Sequence, residues 1–198
     1  MKNKILMGLA AVVMVAFLSS CGKEPVEKEN AVNAAIDSAK VMEANVYVPV
    51  EFAQVQDSMK AIMADIEVQK SKMFKKFGNA TAKLDQTLVL ANEVITKAVA
   101  KKEEVKKEVG TLMTDIKTVI EENKKLFVRA PRGKEGAAVL EQMKAEMATV
   151  ETSVAEAQGM FDKGAYMDAF NKVKAAKETA DKINGALKDA IKKVGGKV

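Results

Sequence analysis

Residues 84–126 read LDQTLVLANEVITKAVAKKEEVKKEVGTLMTDIKTVIEENKKL and contain the pattern that decides the fold. Apolar side chains recur there at alternating steps of three and four residues, and only Lys102 and Asn123 interrupt them. The resulting seam consists of Leu84, Leu88, Ala91, Ile95, Ala98, Val105, Val109, Leu112, Ile116, Val119 and Leu126. A sustained heptad repeat is typical of α-helices that pack knobs into holes. The pattern predicts a helix over residues 80–127, about 70 Å long, with Asn79 as its N-cap.

The segments on both sides of this helix carry the same amphipathic pattern. Pro49 suits a first helical turn, and the stripe that follows it consists of Phe52, Val55, Met59, Ile62, Ile66, Met73 and Phe77. The next stripe consists of Leu140, Met143, Met147, Val150, Val154, Ala157 and Phe161. The last consists of Val173, Ala176, Ala180, Ile183, Leu187, Ala190 and Val194. A shorter helix over about 31–45 carries Val32, Ala35, Ala39 and Met42.

The breaks between these stripes are short, so neighbouring helices should run antiparallel. They fall near residues 46–49, 77–79, 128–133 and 162–165, and they contain all the prolines of the predicted helical part. The chain is 48% hydrophobic and 30% charged, which favours a packed core over disorder. We therefore predict an all-α fold, an elongated antiparallel bundle of five long amphipathic helices with coiled-coil-like packing.

The N-terminus has the composition of a secretion signal. Lys2 and Lys4 precede an uninterrupted apolar run over residues 5–18. A helix of that length spans roughly 21 Å, which is short for a hydrocarbon core of about 30 Å. The run therefore suits a cleaved signal better than a permanent membrane span.

The end of this run resembles the lipobox of bacterial lipoprotein precursors. The matching residues are Leu18-Ser19-Ser20-Cys21, and Cys21 is the only cysteine in the chain, so no disulfide can form within it. The resemblance implies that a diacylglycerol is linked to the Cys21 thiol, that the signal is cut off before Cys21, and that acyl chains such as palmitate anchor the protein in a membrane. Gly22 follows the cysteine. In Gram-negative envelopes that retain lipoproteins in the inner membrane through an Asp at that place, a residue other than Asp implies the outer membrane.

The predicted organisation thus has three parts. Residues 1–20 form the cleaved signal peptide, and residues 21–30 form a polar, lipidated tether. Residues 31–198 form the helical bundle domain. Removal of Lys2 and Lys4 lowers the net charge from +5 to +3. A chain of mixed charges with so small an excess does not match the basic surface of a nucleic-acid-binding protein, so we expect no nucleic acid partner.

The residues for common catalysis are missing from the sequence. The chain contains no His, and its one Cys is assigned to the lipid, which removes the usual nucleophile–base pairs. Zinc, haem and iron–sulfur sites need His or Cys ligands, and no P-loop or GxGxxG pattern occurs. We therefore expect a protein that is not an enzyme and that binds neither a cofactor nor a metal.

One break contains an unusual cluster of cations. Arg129 and Arg132 are the only arginines in the chain, and Lys134 follows them. Arginine pairs bidentately with carboxylates and phosphates, so these residues are candidates for contact with an anionic partner. The alternative is a solvated turn between two helices.

Two further resemblances concern the fold. Residues 160–170, around Tyr166, resemble the turn of a tetratricopeptide-type helical hairpin. The resemblance, with the flanking helices, covers about 30 residues. Residues 34–52, around Tyr47, resemble a helical hairpin of envelope lipoproteins that have no assigned activity. Both resemblances imply helical packing around the tyrosines and no catalytic mechanism.

These observations predict a non-enzymatic scaffold, spacer or protein-interaction adaptor of the cell envelope. The membrane would be engaged through Cys21, and the helices would bind an envelope protein or a second copy of the chain. The alternative is a ligand-binding lipoprotein that carries an apolar or anionic ligand within the bundle. A groove lined by Met59, Met143 and Met147 would favour that alternative.

Overall fold

The structure is a computed structural model that describes residues 23–195. Its elements are α1 (Val26–Val41), α2 (Ala44–Tyr47), α3 (Pro49–Lys70), α4 (Gly78–Arg129), α5 (Lys134–Asp162) and α6 (Tyr166–Lys193). No strand occurs among the described residues, and the predicted all-α bundle is confirmed. The predicted signal peptide and Cys21 lie outside the described residues.

The longest predicted helix is present with small differences at its ends. α4 begins at Gly78 and ends at Arg129, within two residues of each predicted limit. Asn79 lies inside the first turn of α4, so its prediction as the N-cap was wrong. The helix begins earlier because the amide of Thr81 already donates to the carbonyl of Phe77 at 2.8 Å. α3 begins at Pro49, as the sequence predicts.

The first helix begins at Val26, five residues before the predicted limit. The amides of Lys28 and Glu29 both donate to the carbonyl of Pro25 at 3.0 Å, and these bonds start the helix within the stretch predicted as a tether. α1 ends at Val41, and Glu43 then adopts a left-handed backbone with φ 58°. That residue turns the chain into the short helix α2, which the heptad pattern did not reveal.

The described chain divides into two compact units after Lys97. The first unit holds α1, α2, α3 and the start of α4. An ion pair from Glu24 to Lys70 joins the start of α1 to the end of α3. A second, from Lys28 to Asp85, joins the start of α1 to the start of α4. α1 and α4 are therefore parallel in this unit, and α3 runs antiparallel to both.

The second unit holds α4 from Ala98 onward together with α5 and α6. Lys124 of α4 pairs with Glu151 of α5 at 3.1 Å. Glu122 of α4 pairs with Lys188 near the end of α6 at 2.8 Å, and the ammonium of Lys106, earlier in α4, lies 5.4 Å from the ring centre of Tyr166 at the start of α6. These contacts again give an up-down-up arrangement of three helices, with α5 antiparallel to its neighbours.

The buried residues of α4 confirm the predicted seam and widen it. Val94, Met113 and Ile120 are buried, whereas the neighbouring seam positions Ile95, Leu112 and Val119 are half-buried. A helix that packs against two neighbours buries a wider stripe than a two-stranded coiled coil does. The heptad pattern therefore identified the buried face of α4 but missed buried positions beside the seam.

Three residues predicted on apolar stripes are exposed because their helices end before them. Met42 and Val194 are C-cap residues of α1 and α6. Met73 follows the end of α3 at Lys70 and is 92% exposed. The remaining stripe residues of α3 before its end, from Phe52 to Ile66, are buried as predicted.

The turn between α5 and α6 depends on one glycine. Gly164 has φ 82°, in the left-handed region where a Cβ is strained. Its amide donates to the carbonyl of Phe161, and the amide of Ala165 donates to that of Met160, both at 3.0 Å. This pair of bonds is a Schellman motif, which ends α5 and satisfies its last carbonyls.

Candidate functional site

The segment between α3 and α4 exposes the most conspicuous apolar side chains of the first unit. Met73 is 92% exposed and Phe74 is 80% exposed. We call residues 71–76 the basic loop, because Lys72, Lys75 and Lys76 surround these two side chains and are also exposed. The loop residues line a groove that extends to Asn79 at the start of α4. An exposed apolar pair is thus flanked in the sequence by three exposed lysines.

The basic loop is fixed at both of its ends. Ser71 caps α3, and its hydroxyl donates to the carbonyl of Val68 at 2.8 Å. On the other side Phe77 is buried, and its carbonyl accepts hydrogen bonds from both the amide and the hydroxyl of Thr81 at 2.8 Å. The exposure of Met73 and Phe74 is therefore set by two anchored ends.

The base of the basic loop contacts the start of the described chain. Lys70, the last residue of α3, forms an ion pair with Glu24 and another with Glu67 at 2.9 Å. Hydrogen bonds to these two carboxylates raise the pKa of the Lys70 ammonium above its usual range, and the bond to Glu24 has the larger effect. On the same side of the unit, Lys83 of α4 pairs with Asp65 of α3 at 2.8 Å. The N-terminal segment and the loop therefore lie at the same end of the first unit.

A buried carboxyl group lies next to this ion pair. Glu29 of α1 is only 8% exposed, and its Oε1 atom has no hydrogen-bond partner among the described residues. Burial is the main cause that raises the pKa of Glu29, and the nearby carboxylate of Glu24 raises it further. The ammonium of Lys70 acts in the opposite direction. Glu29 is thus the one side chain in the described residues with a buried polar atom that lacks a partner.

The arginine cluster predicted from the sequence is distributed over two helix ends and the turn between them. Arg129 is the last residue of α4, Arg132 is exposed in the turn, and Lys134 is the first residue of α5. Arg129 is also exposed. The assignment of this cluster to an anionic partner stays a prediction.

The second unit contains a polar cluster in its core. Asn123 is completely buried, and its amide nitrogen donates to the carbonyl of Ala180 on α6 at 2.9 Å. The same nitrogen lies 3.6 Å from the sulfur of Met147 on α5. Its amide oxygen accepts a hydrogen bond from Asn184 at 2.8 Å. Asn123 therefore contacts both neighbouring helices and is a core residue, although it interrupts the apolar seam of α4.

Ion pairs flank this cluster on both sides. Glu122 pairs with Lys188, and the hydrogen bond from this lysine is the main cause that lowers the pKa of Glu122. A hydrogen bond from Asn184 lowers it further. Lys124 pairs with Glu151 and Glu121, which raise the pKa of Lys124. Residues 122–124 thus point in turn to α6, into the core and to α5.

The two tyrosines are packed within their units, as the sequence predicts for hairpin turns. Tyr47 of α2 is buried. The rings of Tyr166 and Phe161 lie 5.1 Å apart across the α5–α6 turn. The ammonium groups of Lys102 and Lys106 lie 5.9 Å and 5.4 Å from the Tyr166 ring centre, which is cation–π distance. Lys102, which interrupts the heptad seam, therefore lies where α4 faces the Tyr166 ring.

The methionines of the alternative ligand groove are divided between the units. Met59 is buried in the first unit, whereas Met147 is buried and Met143 half-buried in the second. The groove at the basic loop contains none of the three.

The described residues offer neither a metal-binding cluster nor a membrane-spanning helix. Residues 23–195 contain no group of three or more acidic, His or Cys side chains arranged to hold a metal ion. Among the helices of residues 23–195, none combines the length and the apolar composition that a membrane-spanning helix requires.

The basic loop was not predicted from the sequence, because the spacing of Met73 and Phe77 continues the apolar stripe of α3. A signal was nevertheless present in residues 71–78, SKMFKKFG. Four cations or polar residues around two adjacent large apolar side chains, followed by glycine, do not fit either face of an amphipathic helix.

Comparisons with known proteins do not add a relative. The chain gives no significant match to protein-family models, to curated sequences or to solved structures.

Proposed function

We propose that the protein is a lipid-anchored component of a bacterial cell envelope that acts as a non-enzymatic scaffold, spacer or protein-interaction adaptor. The observation that carries the proposal is the lipobox-like sequence Leu18-Ser19-Ser20-Cys21 at the end of an apolar run. Two acyl chains on Cys21 would hold far better than one, since each buried methylene adds about 0.8 kcal/mol. Gly22 favours the outer membrane in a Gram-negative host.

The start of the helical part supports this proposal. α1 begins at Val26, five residues after Cys21. The first unit would therefore be held close to the membrane surface and not at the end of a long tether. The scarcity of catalytic residue types in the sequence, above all the absence of His, supports a role in assembly over a role in catalysis.

An exposed apolar set at the other end of the first unit supports an adaptor. Val41, Met42, Val46 and Val50 surround α2 and are between 41% and 74% exposed. Because α1 and α3 are antiparallel, this set lies at the opposite end of their length from Glu24. Clustered exposed apolar side chains are typical of protein contact surfaces. We propose this set as the partner-binding surface, with Arg129, Arg132 and Lys134 as a second contact for an anionic partner.

The anchor is tested by labelling cells with an alkyne-bearing fatty acid and by measuring the mass of the purified protein. We expect label, loss of residues 1–20 and a mass increase on Cys21, and none of these in a Cys21→Ser variant. An unlabelled protein that is released from washed envelopes would overturn the anchor.

The adaptor role is tested by crosslinking in intact cells. A photoreactive amino acid replaces Val46 in one variant and Ala61, an exposed residue in the middle of α3, in the matched control. We expect one defined crosslinked envelope protein, or a crosslinked second copy, from position 46 only. Equal, diffuse crosslinking from both positions would exclude this end as the partner-binding surface. Replacing Arg129 and Arg132 with Ala tests the second contact, which would be excluded if the same partner is recovered in the same amount.

A further inference from the structure

The strongest unassigned feature of the first unit is the basic loop, and its chemistry is that of a surface for anionic lipid. Met73 and Phe74 are the two most exposed large apolar side chains among the described residues. Exposed apolar side chains enter the interface of a bilayer, and lysines beside them attract anionic headgroups. The ammonium groups of Lys72, Lys75 and Lys76 have no side-chain partner among the described residues. They are therefore available to negative charge outside the protein.

The position of the loop selects a membrane over other anionic partners. Lys70 at the base of the loop forms an ion pair with Glu24, which is three residues after Cys21. A fully extended chain of three residues spans at most about 11 Å. An acyl group on Cys21 would therefore enter the bilayer next to the basic loop, so the loop would face the same surface.

We propose that the basic loop is a second membrane contact, in which Met73 and Phe74 insert into the lipid interface while Lys72, Lys75 and Lys76 bind anionic phospholipid headgroups. The inference rests on the proposed lipid anchor, which brings the loop to the bilayer. With two points of attachment at one end, the first unit would be held in a fixed orientation, and the exposed set around α2 would point away from the membrane.

The test uses the lipidated full-length protein, purified from envelopes and bound to vesicles. Lipidation blocks the thiol of Cys21, so a cysteine introduced by Met73→Cys is the only one that a fluorophore sensitive to polarity can label. The matched control is Val50→Cys, at an exposed residue of the opposite end of the first unit. Vesicles contain either neutral phospholipid alone or neutral phospholipid with a third of phosphatidylglycerol.

On vesicles with phosphatidylglycerol we expect a blue shift at position 73 and protection from iodide, and neither at position 50. Replacing Lys72, Lys75 and Lys76 with Gln should reduce this protection, with a loss of about fivefold in loop affinity per lysine. High salt should weaken the binding of the native loop to the anionic vesicles, but it should not weaken the binding of the variant in which Gln replaces the three lysines. Circular dichroism should be unchanged, because all these side chains are exposed.

The outcomes separate this proposal from the anchor. If the protein floats with neutral and anionic vesicles but the label at position 73 stays accessible to iodide on both, the loop proposal is wrong and the anchor stands. If the purified protein carries no lipid and does not float with neutral vesicles, the anchor is wrong. Equal protection at positions 73 and 50 would also overturn the loop proposal, because it would show that the unit lies on the membrane without the orientation that we infer.

Discussion

Glu24 forms an ion pair with Lys70, and this contact joins the segment that follows Cys21 to the last residue of α3. Both side chains are about one-third exposed, and Lys70 also pairs with Glu67. The ion pair matters less for its energy than for its position. It places the start of the described chain and the exposed pair Met73–Phe74 at one end of the first unit.

Replacing Glu24 with Gln should loosen the N-terminal segment without unfolding the protein. Partly exposed ion pairs contribute little, so we expect a loss of at most about 0.5 kcal/mol in the free energy of unfolding. Amide hydrogen exchange at residues 23–28 should nevertheless become faster. The control is Glu27→Gln, at an exposed residue of the same turn without a side-chain partner in the described residues. Equal exchange in the two variants would show that the Glu24–Lys70 contact does not order this segment.

Replacing Glu29 with Gln should stabilise the protein at neutral pH. A buried carboxylate with an unpaired oxygen is costly, so we expect a gain on the order of 1 kcal/mol in the free energy of unfolding. Burial, with Glu24, raises the pKa of Glu29 above the ordinary value of 4.5, whereas Lys70 lowers it and Glu67 adds a smaller increase. The folded state therefore holds this proton more tightly than the unfolded state does. Stability from this group is present at low pH and is lost as pH rises through the folded pKa.

The measurement is chemical denaturation of the native protein and the Glu29→Gln variant at several pH values from 3 to 7. The difference between them should be smallest at the acid end and should grow toward pH 7. Glu93→Gln, at an exposed residue of α4 in the same unit, serves as the control and should show no such trend. A difference of the opposite sign, with the variant less stable at pH 7, would show that the Glu29 carboxylate is well solvated or paired.

Two glycines of the second unit should respond in opposite directions to substitution by Ala. Gly164→Ala forces a Cβ onto a backbone with φ 82°, so we expect a loss of about 1 kcal/mol. Gly185 lies within α6, is exposed and has open space for a Cβ, so Gly185→Ala should gain up to about 1 kcal/mol. Thermal unfolding of both variants measures the difference. A neutral Gly164→Ala would mean that the Schellman turn is not retained in solution.

The sequence predicted the helical fold well because the heptad pattern depends on burial alone. Leu84, Val109 and Ile116 are each fully buried, as their spacing required. What the pattern could not predict was how many neighbours a helix has, so Val94 and Ile120 were missed. The boundary after Lys97 has no counterpart in the pattern, because one uninterrupted helix supplies residues to both units.

The candidate site was harder to predict from the sequence. Met73 lies at a position that would extend the stripe of α3, so the apolar spacing continues past the end of the helix at Lys70, and only the composition of residues 71–78 indicates the loop. The contact between Glu24 and Lys70 is between residues far apart in the chain, so local patterns could not reveal it. By contrast, Arg129 and Arg132 became candidates for an anionic partner because they are the only arginines in the chain. Rarity of a residue type does not indicate whether its members share a surface.

Asn123 should specify how α4, α5 and α6 align in the second unit. Asn123→Ala would remove the hydrogen bonds that Asn123 makes with the carbonyl of Ala180 and the amide of Asn184, so we expect a loss of about 2 kcal/mol in the free energy of unfolding, measured by chemical denaturation. Asn92→Ala removes an exposed asparagine that bonds only to its own helix, and it should change stability by less than about 0.5 kcal/mol.

Asn123→Leu separates stability from alignment. An apolar residue of similar size can be neutral or stabilising, but it removes the buried hydrogen bonds that align α4 with α6 near Ala180. We therefore expect near-native stability with broadened amide signals for α6 in NMR spectra. Sharp, native-like signals would show that apolar packing and the flanking ion pairs of Glu122 and Lys124 are sufficient to set the alignment.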